Sequence, residues 1–67
     1  MELESIEPLS VAINIWTGRN AEIRKVEGNY YVVRLVVDGI AYPAEDYLAD
    51  TLVGAKNIAR AMVNIQE

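Results

Sequence analysis

The sequence predicts an α+β domain: a three- or four-stranded antiparallel β-meander with one C-terminal α-helix packed on one face. Three observations carry that expectation. Leu48, Leu52, Ala55, Ala59 and Met62 recur at steps of four, three, four and three, which sets them on one stripe of a helix. Residues 11–17, 22–27 and 30–37 are short β-rich runs parted by Gly-containing turns. The apolar period changes once, from about two to about 3.6, near Tyr42, as it does where sequential strands give way to a helix. The expected layout is one small domain over residues 1–67, with an N-terminal arm at 1–9, the meander at 10–42 and the helix at 43–65.

The elements follow in chain order. Pro8 biases Glu7 away from helical geometry, so β-structure is expected after it. Val11, Ile13 and Ile15 alternate with Ala12, Asn14 and Trp16, the period of a strand. Gly18 and Asn20 suit a first turn, and Gly28-Asn29 reads as a two-residue turn with Gly first. Residues 30–37 form the most apolar strand, and Asp38-Gly39 can return a short fourth strand through residues 40–42. Pro43 fits the first turn of a helix, where its missing N–H costs nothing, and Glu45 and Asp46 suit the positive helix end. Gly54 costs about 1 kcal/mol against Ala in a helix interior. It fits close packing, a kink, or a true helix start near Asp50 with residues 43–49 as a separate turn.

A two-residue turn at Gly28-Asn29 sets Val26 opposite Tyr31. A turn at Gly18-Arg19 sets Ile13 opposite Arg24. The expected helix–sheet core is then Val11, Ile13, Ile15, Val26, Tyr31, Val33 and Leu35 against Leu48, Leu52, Ala55, Ala59 and Met62. Val37 falls on the same side. The arrangement places Glu22 and Arg24 on the core side of the central strand, and a bulge would shift the alternation by one. The other side carries Trp16, Ile23, Lys25, Tyr30, Val32, Arg34 and Val36, an aromatic and aliphatic patch interleaved with basic groups. Such patches mark contact surfaces, and aromatics and Arg dominate binding hot spots. The bland alternative is that the arm covers this face.

Composition narrows the chemistry. A 67-residue chain buries only about 60% of its unfolded surface. With neither Cys nor His it has no disulfide, no zinc-type ligand and no nucleophile–base pair of the common kind. The 52% hydrophobic content therefore points to dense packing or association. Asp46 and Asp50, four apart, would share a helix face and read as solvated rather than catalytic. The glycines are spaced as turns rather than as a phosphate loop. No catalytic residue, metal site or cofactor is expected. A net charge of −4 argues mildly against a broad phosphate footprint. The acidic first ten residues do not read as a secretory signal, and no apolar run approaches a membrane span, so a cytoplasmic location (host cytoplasm, if viral) is the expectation.

Asp50-Thr51-Leu52 followed by Ala55-Lys56 resembles the helix start of small antitoxin-like domains of the HicB type, which also carry a three-stranded meander. The likeness spans only these residues. The Gly-rich strand end of those domains is replaced here by Asp38-Gly39-Ile40-Ala41-Tyr42-Pro43, and no residue role is carried over. The functional expectation is a non-enzymatic protein-interaction or regulatory module that self-associates, with a dimer or another protein as partner. The alternative is single-stranded nucleic-acid binding, in which Trp16 and Tyr30 stack on bases beside Arg19, Arg24, Lys25 and Arg34.

Overall fold

The computed structural model describes residues 3–65 and forms a five-stranded antiparallel sheet with one C-terminal helix packed against it. After a 3-10 turn at Leu3–Ser5 come β1 (Ser10–Asn14), β2 (Arg19–Val26), β3 (Tyr30–Val37) and β4 (Ile40–Ala41). A second 3-10 turn at Pro43–Glu45, β5 (Tyr47–Ala49) and α1 (Leu52–Asn64) follow. The order is β1-β2-β3-β4, and β5 pairs with another part of β3.

The long hairpin of β2 and β3 decides which residues are inside. Its loop is Glu27-Gly28-Asn29, three residues rather than two, and Val26 pairs with Tyr30. Gly28 (φ 83°) and Asn29 (φ 62°) both sit in the left-handed region, where Gly and Asn are the favoured residues. One extra loop residue turns β2 over relative to β3. Ile23 therefore stands opposite Val33 and Ala21 opposite Leu35, all four under the helix. The first loop spans residues 15–18, and Ile13 pairs with Asn20, not Arg24. That slide is an even number of residues, so β1 follows β2 and presents Ala12 to the core.

The expected core is corrected accordingly. Tyr31, Val33 and Leu35 lie on the helix side as expected, with Ala55 and Ala59 buried and Leu52 and Met62 packed at the margin. Val11, Ile13 and Ile15 do not: Ile13 is 65% and Ile15 81% exposed. Val26 is half-buried on the helix-free side. Ala21, Ile23, Ala49 and Val63 take their places. The exchange removes the conflict over Glu22 and Arg24, which now lie away from the helix. The core is small, and Ile23 and Val33 are the largest fully buried side chains. Its many alanines let helix and sheet approach closely.

The helix begins at Leu52, not Pro43. Thr51 caps it in extended geometry (φ −135°, ψ 154°), its Oγ1 accepting from the Gly54 N–H at 3.0 Å. A Cβ on Gly54 would lie 2.9 Å from that oxygen, so the glycine makes room for the cap. Pro43 starts the short 3-10 turn instead. Leu48 leaves the helical stripe altogether. It lies in β5 opposite Val32, 58% exposed, while its neighbour Ala49 is buried. At the far end, the Thr17 hydroxyl donates to the Val63 carbonyl at 2.7 Å and the Asn14 amide to Asn64 Oδ1 at 2.9 Å, tying α1 to the first loop.

Candidate protein-interaction face

The side of the sheet away from α1 is assembled by strand alternation. Val11 and Ile13 come from β1; Glu22, Arg24 and Val26 from β2; Tyr30, Val32, Arg34 and Val36 from β3; and Leu48 from β5. Val11 lies beside Glu22, Glu22 beside Arg34, and Val32 between Arg24 and Leu48.

Two arginines run into this apolar surface and are nearly buried in it, at 8% and 9% exposure. Arg24 donates from Nε to the Ile6 carbonyl at 2.8 Å and pairs with Glu22 Oε1 at 2.6 Å. Arg34 makes a two-pronged contact with Asp46, Nε to Oδ1 at 3.0 Å and Nη2 to Oδ2 at 2.7 Å. The geometry follows from the chain path. β4 pairs with the end of β3 and β5 with its beginning, and the 3-10 turn between them delivers Asp46 one step before Tyr47, level with Arg34. Asp46 therefore does not share a helix face with Asp50. It neutralises a guanidinium.

With these charges answered, the remaining character of the face is apolar. The N-terminal arm lies on this side at Arg24, through the Ile6 carbonyl, but it leaves Val11, Ile13, Tyr30 and Leu48 exposed. Leu9 and Ile15 are exposed at the two ends of β1, and Trp16 is 90% exposed in the first loop.

Four of the seven residues expected at an interaction surface share this side: Tyr30, Val32, Arg34 and Val36. Ile23 is a correction, since it is 1% exposed in the core. Lys25 is another: it pairs with Tyr31 on the helix side of the sheet. Trp16 belongs to the loop rather than to a strand. Sequence reasoning missed Val11, Ile13 and Leu48 as surface residues. The signal for Val11 and Ile13 was the pair Glu22 and Arg24, whose charge marks the outward side of β2; for Leu48 it was Thr51, whose cap starts the helix after it. The basic groups of the nucleic-acid alternative are divided: Arg19 and Lys25 on the helix side, Arg24 and Arg34 on the other, engaged with carboxylates or backbone.

No helix among the described residues is long and apolar enough to cross a membrane. Comparison with protein-family models, with curated proteins and with solved structures gives no match.

Proposed function

We propose that this chain is a small non-enzymatic interaction module that works by protein contact through the helix-free side of its sheet or the sheet's open edge, with a second copy of itself as the favoured partner. One observation carries the reading: a sheet side whose charges are internally paired leaves Val11 and Ile13 exposed along its β1 border and Tyr30 and Leu48 exposed toward its β5 border. Exposed apolar surface of this kind marks contact sites. The small core of a 67-residue chain without disulfides gives association a second role, since burying more apolar surface offsets what one copy lacks.

Sedimentation velocity at micromolar concentration tests it. The expected result is a species of twice the 7.5-kDa chain mass. A single 7.5-kDa species across the micromolar range contradicts self-association.

A further inference from the structure

We infer that two copies join edge to edge through β1, antiparallel about Ala12, so that their sheets become one; the inference rests on the proposed self-association and specifies its geometry. The two sheet edges differ. On one side β3 is bordered by β4 and β5, of two and three residues, interrupted by a proline-led turn. Short, broken edges of that kind resist strand addition. On the other side β1 is a five-residue strand that pairs only with β2 among the described residues. An edge strand presents the backbone N–H and C=O groups of alternate residues outward, ready for another strand.

The residues of this edge suit one occupant, a second β1. From Pro8 to Gly18 the chain has no charged side chain, so the paired strands themselves bring no charge together, while Lys56 and Arg60 of α1 line the groove beside β1. The apolar positions are self-complementary. With Ala12 on a two-fold axis, Val11 meets the other copy's Ile13 and Ser10 meets its Asn14, all within the strand. Sliding the pairing so that Val11 or Ile13 faces itself pairs only three residues of the strand. The Ala12 register alone pairs all five residues of β1. Val11 and Ile13, 41% and 65% exposed in the single copy, are brought together by this contact.

The absence of cysteine makes the test direct. Directly paired residues of antiparallel strands have Cα atoms about 4.5–5.5 Å apart, within disulfide range. An Ala12→Cys chain should convert to a disulfide-linked dimer within minutes under mild oxidation, while Ala61→Cys, on an exposed position of α1, should stay mostly reduced. Circular dichroism on both variants checks that they fold. If the unmodified protein sediments as a dimer but folded Ala12→Cys links no faster than Ala61→Cys, the β1 seam is wrong and self-association stands. If the unmodified protein sediments as a monomer, both fall.

Discussion

Arg24 and Arg34 are the residues that make the helix-free face usable. A nearly buried guanidinium is costly unless its donors are taken up. Asp46 takes two from Arg34, and Glu22 with the Ile6 carbonyl takes two from Arg24. Asp46→Ala is expected to lower stability by about 2–3 kcal/mol, less than the ~3–5 kcal/mol of a fully buried pair because Asp46 keeps contact with water. Arg34→Met combined with Asp46→Leu should recover most of that loss, since the site then holds no charge. Urea denaturation of the two variants measures both values. A negligible loss in Asp46→Ala would mean that the pair does not hold Arg34 in place. At this scale the sequence is only partly legible. Arg34 reads as an outward basic group, but Asp46 reads as a helix-end carboxylate, because nothing local shows that the chain turns back to β3 there.

At the scale of elements, the meander and the C-terminal helix are legible because each rests on a repeated local pattern. Alternation marks β1 to β3, and a stripe of small and branched apolar residues marks α1. The inside of the sheet is not legible by the same means. It depends on whether the Gly28 loop has two residues or three, and a single residue exchanges the two sides of β2 and β1. Gly28-Asn29 is compatible with either length, since both residues tolerate positive φ. The polarity of β2 resolves the choice once both sides are compared. Ile23 and Ala21 form a better inner row than Glu22 and Arg24. The helix start shows a similar limit, since Pro43 opens a 3-10 turn as readily as an α-helix, and Thr51 supplies the true cap. Thr51→Ala should cost about 1 kcal/mol by urea denaturation. Gly54→Ala should gain less than the ~1 kcal/mol of its helix propensity while Thr51 is present, because the new methyl crowds the capping hydroxyl, and the full gain once Thr51 is Ala. Equal gains in both backgrounds would show that the cap and the glycine are uncoupled.

For the whole molecule, the helix shields one side of a five-stranded sheet; on the other the N-terminal arm reaches Arg24 through the Ile6 carbonyl, while Val11, Ile13 and Leu48 stay exposed. The structured chain is slight, with a radius of gyration of 11.1 Å and few large buried side chains. A surface that is apolar, neutralised and lined with β-branched residues is a poor final surface for a lone copy and a good one for a paired copy. Sedimentation of Ile13→Glu at micromolar concentration, beside the unmodified chain, tests this most directly. Ile13 projects from the open side of the edge strand, so the new carboxylate should leave the fold intact and charge the contact. The expected result is a folded 7.5-kDa monomer where the unmodified chain is a dimer. A variant that still dimerises as the parent does, or one that unfolds because Ile13 belongs inside, would contradict it.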